Sequence, residues 1–446
     1  MTVFAKGVTW LWLLLGCTTI APAAIVGTNP PALPLTVDRI AALPAAEQVP
    51  WREYLKSSNR QLVADQARLN AEALDHGLTN LTIPPEGRGV AGIPLGKDKE
   101  WYAGAEATRL ADNIISYQTP AGGWSKNLDI TKHARAPGER FGHGNASHFA
   151  ATTDFDTPLN VDWNYVGTFD NDATVTQLRF LARVISAGNA GKAKYRTAFM
   201  RGLDYIYAAQ YPNGGWPQVW PLQGGYHDGV TFNDDAMTNI LKLLADIADG
   251  KPGYDFVPSG SRDRARASLE RGISCVLAAQ IVVNGRRTVW CQQYDPLTLK
   301  PASARNYEMP SAASSESAGI MLFLMSLSNP SIEVVRAVHA AADWFAKTRI
   351  EHVSYRRGDG APRLLQDDSA GPLWSRYYEI GTDRPIFGDR DKTIHDKVEE
   401  ISLERRRGYG WYRDSGSRAL EIYEAWAKKH PRDGQPRRKA GRQSSS

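Results

Sequence analysis

The 446-residue chain has only three cysteines, so no disulfide framework can replace a core, and buried apolar surface must hold the fold. It also lacks a long apolar run. The one concentrated stretch, residues 8–15, follows Lys6 and precedes Ala21-Pro22-Ala23-Ala24. That order predicts a cleavable export signal over residues 1–24, a secreted product (extracellular or periplasmic) and no membrane span. Leu14-Leu15-Gly16-Cys17 also fits a lipoprotein box, with a lipid anchor at Cys17 as the minor alternative. Cys275 and Cys291 remain after cleavage and would be free to pair in an oxidising compartment. No Ser- or Pro-rich linker divides the middle, so residues 51–427 read as one catalytic unit behind a leading linker over 25–50. The body also lacks a charge excess. The formal charge is +5, yet seven basic residues against one acid fall within 428–442. A near-neutral body excludes a nucleic-acid surface there, and residues 428–446 read as a basic disordered tail.

What is present is repetition. Residues 118–124 (Gln-Thr-Pro-Ala-Gly-Gly-Trp) and 210–216 (Gln-Tyr-Pro-Asn-Gly-Gly-Trp) nearly coincide, as do 168–174 (Thr-Phe-Asp-Asn-Asp-Ala-Thr) and 231–237 (Thr-Phe-Asn-Asp-Asp-Ala-Met). A helical unit therefore recurs, delivering carboxylates to one end. Leu110, Ala111 and Ile114 form an apolar helical stripe, repeated by Leu203, Ile206 and Tyr207 and by Leu269, Ile273, Val276 and Leu277. Leu178, Leu181, Ala182 and Ile185, then Met237, Ile240, Leu241 and Leu244, mark helices starting at the acidic clusters, and a third runs over about 315–324. Leu55, Leu62 and Leu69 predict a long amphipathic bracing helix over 51–76. The fold class expected is all-α, an α/α toroid of repeated helix pairs, with irregular insertions at 126–165, 217–230 and 356–390 forming a groove for a polymer.

Asp170-Asn171-Asp172 and Asn233-Asp234-Asp235 together offer four carboxylates and two amide oxygens, hard donors of the kind Ca²⁺ takes. Capping accounts for any one of these acids, since a side-chain oxygen at a helix start satisfies free amides of the first turn. The surplus, present in both units, favours a cation site. Arg305, Arg376, Arg384 and Arg390 are the candidate cations. A guanidinium grips a carboxylate at two points, so several of them beside cation ligands indicate an acidic sugar. Lys126 after the first Gly-Gly-Trp turn is a further uronate contact, whereas Trp124 and Trp216 read as packing anchors. His227 and Asp228 stand in the loop before the second acidic cluster.

These blocks, with Gly-Gly-Trp-Ser-Lys-Asn (122–127), Ala-Arg-Asn-Tyr-Glu-Met-Pro (304–310) and Gly-Thr-Asp-Arg-Pro-Ile-Phe-Gly-Asp-Arg-Asp (381–391), resemble the pectate lyases of polysaccharide lyase family ten over residues 101–411. The resemblance implies an (α/α)₃ toroid that cleaves polygalacturonate by Ca²⁺-assisted anti-β-elimination. It implies that Asp234 ligates calcium, that Asp170 and Asn171 shape the metal site, and that Arg305 takes the proton from C5. It assigns Arg376 and Arg390 to substrate carboxylates. An arginine base requires neighbouring cations to lower its pKa, because a guanidinium otherwise stays charged. Asp172 and Ser125 depart from the family pattern, which has Gly and Pro there. A monomer is expected.

Two other readings stay open on sequence. A glycoside hydrolase on the same kind of scaffold would use Asp170 and Asp234 as paired carboxylates. A non-catalytic pectin-binding protein would need the same acids and arginines without turnover.

Overall fold

A computed structural model describes residues 25–144, 154–188, 192–356 and 360–432. The expected export signal, Cys17 and the chain beyond 432 lie outside the described residues. The fold is mainly helical. Nine longer helices among the described residues carry it: α1 (Ala45–Asp75), α2 (Ala105–Ser116), α3 (Val175–Ser186), α4 (Lys192–Ala209), α5 (Ala236–Ala248), α6 (Ser259–Ala279), α7 (Ser314–Met325), α8 (Ile332–Thr348) and α9 (Ser415–Lys429). No helix among the described residues is long and apolar enough to cross a membrane.

The apolar stripes decide which helices go inside. In α3, Leu178, Phe180, Leu181 and Val184 are all fully buried, and α5 buries Met237, Ile240, Leu241, Leu243 and Leu244. A helix apolar on nearly every side must be surrounded by others. Accordingly α3, α5 and α7 pack in series, and each carries a more polar helix on its flank: α4 on α3, α6 on α5, α8 on α7. Helix α9 packs on α7 and α8, and α2 on α3 and α4.

The repeated turns are built from the same two clamps. Trp124, Trp216 and Trp290 are buried, and their indole N–H groups donate to the carbonyls of Ile114, Ile206 and Val276 at 2.7 to 2.8 Å. Trp374 does likewise to Phe345 at 3.0 Å. Gln118, Gln210 and Gln280 each donate twice, to a carbonyl of the following turn and to one of the next flanking helix (Ala198, Ser268 and Ala337). The indole clamp reaches a carbonyl in the last turn of a helix, and the glutamine clamp ties the following turn to a carbonyl inside the flanking helix.

Several boundaries differ from the sequence expectation. The bracing helix starts at Ala45, with Pro50 within it. Residues 25–50 are not a loose linker: Ile25–Thr28 pairs antiparallel with Thr393–His395, and Leu35 and Ile40 are buried. The 356–390 insertion holds regular structure, with Val353–Arg356 paired antiparallel to Arg363–Gln366 and short strands beyond them. The tail boundary moves outward, since α9 runs through Lys429 and Arg432 pairs with Asp343 at 2.6 Å. Cys275 and Cys291 are free, buried thiols rather than a disulfide.

Short strand pairs lie at the helix entrances and place the loops side by side. Val230–Thr231 pairs with Gln293–Tyr294, Ala312–Ala313 with Tyr377–Tyr378, and Trp374–Ser375 with Tyr412–Arg413. The entrances to α5, α7 and α9 are thereby laced together, and the candidate site lies there.

Candidate active site

The two acidic clusters form tight 3₁₀ turns, Asp170–Asp172 and Asn233–Asp235, that pack against each other. Both contain left-handed residues: Asn171 and Asp172 at φ 50° and 60°, Asp234 and Asp235 at φ 48° and 59°. Thr174, which is β-branched, follows at φ 65°. Side chains in this region cost about 1 to 3 kcal/mol each, so the turns are held by their surroundings. Thr174 shows how: its hydroxyl donates to the Thr168 carbonyl at 2.8 Å and accepts the Trp124 N–H at 3.0 Å.

The acids do not cap. Thr174 and Asp235 are the residues that precede α3 and α5 at the cap position, and neither makes a side-chain cap hydrogen bond. Capping thus does not account for these carboxylates. Asp170 is buried, its Oδ2 paired with Lys126 and its Oδ1 without any partner. Burial pushes its pKa up, but Lys126 and then Arg305 outweigh that and hold it below the usual range. Asp234 is exposed at the turn, yet desolvation of its carboxyl, reinforced by Asp170 and Glu316, raises it to about 6 against the pull of Arg376 and Arg305. Asn171 is exposed beside it. Asp172 accepts from Asn239 Nδ2. Gly319 in α7 makes room for this arrangement, because a Cβ there would collide with the Asp235 carboxylate.

Asp234, Asp235, Glu316 and Arg376 line a cleft of 280 Å³ together with Ser315, Arg413 and Ser415. Arg376 is buried, and its Nη2 donates to Glu316 Oε1 at 2.7 Å and Asn233 Oδ1 at 3.0 Å. Its Nε and the second Glu316 oxygen are buried without partners. Among the described residues no group of three or more His, Cys, Asp or Glu is gathered as a ready-made metal cage.

Arg305 sits in the field of the same acids, with its side chain 32% exposed. Its Nε and Nη2 grip Glu308 at 2.9 and 2.7 Å, and Glu308 also accepts the Tyr409 hydroxyl at 2.7 Å. Burial lowers the Arg305 pKa, but the Glu308 carboxylate more than reverses this and lifts it well above the ordinary value. This corrects the expectation that neighbouring cations lower it: the nearest charge is an anion. Arg390 lies 4.9 Å from the Tyr307 ring, with Arg305 at 5.2 Å and Arg405 at 4.4 Å from the same ring, so three guanidinium groups surround one phenol. Arg390 also reaches Glu404 at 3.4 Å. Arg384 is placed elsewhere: its ion pairs are with Glu379 at 3.3 Å and Asp396 at 3.5 Å. Lys126 joins Asp170 and lies 3.7 Å over the Tyr165 ring.

Sequence reasoning missed Glu308, Glu316, Arg405 and Asp156. Glu308 stands three residues after Arg305 in the same block, and that spacing was the available signal. Asp156 accepts the Tyr226 hydroxyl at 2.5 Å and is raised by burial, although Tyr226, Arg305 and Lys126 pull it down. His227 stacks on Tyr226 with centroids 4.1 Å apart, and burial followed by Lys126 pushes it down to about 4, so it is neutral. No sequence pattern links these loops.

The sequence pattern of the pectic acid lyase family matches residues 118–420. Among solved structures, a family 10 polysaccharide lyase from Cellvibrio cellulosa is 32% identical with a TM-score of 0.62, over 76% of this chain and 97% of that one. An aspartate-to-alanine mutant of such a lyase, solved in complex with trigalacturonic acid, is 31% identical with a TM-score of 0.62, over 75% of this chain and 98% of that one. Among curated proteins no relative reaches the level of a match. The chain belongs to the pectic acid lyase family and is a polysaccharide lyase, a pectate lyase.

Proposed function

We propose that this exported lyase, a monomer, cleaves polygalacturonate by Ca²⁺-assisted anti-β-elimination and releases 4,5-unsaturated oligogalacturonides. The observation carrying the reading is the pair of acidic turns that cap nothing and stand beside Arg376 within the field of Arg305. The solved relative with trigalacturonic acid supports a uronate chain as substrate. The packing of α3 with α4, α5 with α6 and α7 with α8 supports an (α/α)₃ toroid.

Taking the C5 proton, alpha to an ionised carboxylate, loads a second negative charge onto that group. The barrier falls only if cations already stand where the charge develops. Arg376 and Arg390 would hold substrate carboxylates, and Arg305 would accept the proton. The Arg305–Glu308 pair opposes that last role by holding the guanidinium charged, so turnover should favour alkaline pH. Lys126 would neutralise Asp170 and orient it.

The donors suit calcium. Asp170 Oδ1 is buried and unpartnered, and Asp234 is forced upward by desolvation and then by its acidic neighbours, two strains that a cation relieves. Asp234, Asp170 and Asn171 supply fewer than the roughly six to eight oxygens calcium takes, so substrate carboxylates and water would complete the shell. When bound, the ion supplies positive charge next to the carboxylate that becomes dianionic.

The test is incubation of the purified protein with polygalacturonic acid, with and without Ca²⁺, following ultraviolet absorbance and product length. Elimination gives unsaturated, absorbing ends. New reducing ends without absorbance would overturn the reading, and full activity after exhaustive EDTA treatment would remove the metal.

A further inference from the structure

The strand pair at the entrance to α9 sets a second guanidinium beside Arg376. Arg413 stands opposite Trp374, and the Arg376 N–H donates to the Trp411 carbonyl at 2.6 Å. Side chains alternate along a strand and residues directly opposite share a face, so Arg376 and Arg413 project from the same side of the ladder. Both reach the acidic cleft, where they meet Asp234, Asp235 and Glu316. Arg413 lies against bare backbone there: a Cβ on Gly410 would stand 2.6 Å from its Nε and its Nη2.

The two arginines differ in what they hold. Arg376 is buried and bound to Glu316 and Asn233. Arg413 is exposed, and among the described residues its guanidinium makes no hydrogen bond and no ion pair. It also borders a second hollow, of 490 Å³, between the Val353–Arg356 strand and the start of α9. Arg413 is the one residue that lines both spaces. The hollow's one carboxylate, Asp414, stays out of ion-pair reach of it. A polymer running from the cleft into the hollow must pass this open guanidinium.

We propose that Arg413 is a specificity residue, gripping the carboxylate of a sugar beyond the reacting one and selecting the free acid over its methyl ester. The cleft holds three carboxylates against two arginines. An anionic chain is therefore repelled unless a cation meets it, and of the two only Arg413 is without an anion. A guanidinium takes a carboxylate at two points with both partners charged. An ester has no charge to offer. The inference rests on the polyuronate reading of the substrate and not on the elimination chemistry.

Titration calorimetry of the full chain tests this, with hexagalacturonate and its methyl-esterified form as probes. Arg305→Ala as background, with Ca²⁺ present, lets binding be read without turnover. Adding Arg413→Ala should weaken the acid roughly tenfold, the worth of one hydrogen bond between charged groups, and leave the ester nearly unchanged. Arg413→Gln keeps donors without charge and should lose the same preference, whereas Arg413→Lys should keep part of it. The removed group makes no bond within the protein, so the urea midpoint should not move. Equal weakening of acid and ester would mean a packing role, and no weakening of either would mean a solvated arginine. Each result would overturn the proposal. If the acid does not bind even with Arg413 in place, the polyuronate reading falls with it. Wild-type enzyme that binds the acid through Arg413 yet forms no absorbing ends would sink the elimination chemistry alone.

Discussion

Glu308 accepts from the Arg305 guanidinium, the Arg305 amide and the Tyr409 hydroxyl, and it is almost wholly buried. Such a pair fixes the guanidinium in place and keeps it charged, with Glu308 itself held down to about 2 by Arg305 against the cost of its burial. If Arg305 is the base, only its neutral fraction works. That fraction grows tenfold per pH unit below a raised pKa, so log kcat should climb with a slope near one from neutral pH into the alkaline range without levelling. A flat profile over that span would sink the assignment. Arg305→Ala should lower kcat by roughly 10²- to 10⁴-fold, the usual worth of a positioned acid or base, while substrate still binds by calorimetry. Asp234 makes the opposite limb. A ligand carboxyl must be ionised, and this one is raised to about 6. Apparent calcium affinity should therefore be steady above about pH 6 and fall roughly tenfold per unit below it. Asp234→Asn should weaken calcium and flatten that dependence, as read by titrating activity or heat with the metal at pH 5 and pH 8.

The segment ahead of the family-matched region reaches into the same site. Beyond the Ile25–Thr28 strand, the Asn29 side chain donates to the carbonyls of Arg305 and Asn306 at 3.0 and 2.9 Å, while the Asn29 N–H meets the Lys392 carbonyl at 2.8 Å. Asn306 in turn donates to the Arg390 carbonyl at 2.8 Å. Two amides in relay, Asn29 and Asn306, thus tie the backbone of Arg305 to that of Arg390. Asn29→Ala should lower kcat roughly tenfold or more through lost positioning, with KM nearly unchanged. Unaltered kcat would show that the strand is mere packing. None of this was legible in residues 25–50, because the burial of Leu35 and Ile40 is made by partners distant in sequence and leaves no periodic trace. The α3 and α5 stripes were legible for the converse reason: each helix buries its own face at a spacing of three and four residues. The acidic turns were legible as chemistry but not as conformation. Their residues prefer helix caps in general, and contacts made only in the folded chain, the packing of the two turns and the Thr174 hydroxyl on the Thr168 carbonyl among them, hold them in left-handed backbone instead.

Repetition makes the molecule stable in a particular way. Trp124, Trp216, Trp290 and Trp374 differ in distance from the carbonyls they meet, ten residues for the first two, fourteen and twenty-nine for the others. Only the first two are announced by Gly-Gly-Trp in the sequence, so the full series is visible only once the chain is folded. Each indole occupies the carbonyl of a helix residue near the point where that helix ends and the chain turns inward. Replacing any one by Phe keeps a ring of similar bulk but deletes one buried hydrogen bond, a loss of about 0.5 to 1.5 kcal/mol. If the four are structurally equivalent, the four losses should be alike, seen as similar drops in the urea midpoint with an unchanged slope. A clear cost at Trp124 and Trp216 with none at Trp290 and Trp374 would mean that the later units are held by other contacts, and that the repeat ends where its sequence signal does. Equal costs would mean that the architecture repeats where the sequence no longer does, because the constraint is a carbonyl in the last turn of each helix and any chain length that returns an indole to it makes the same bond.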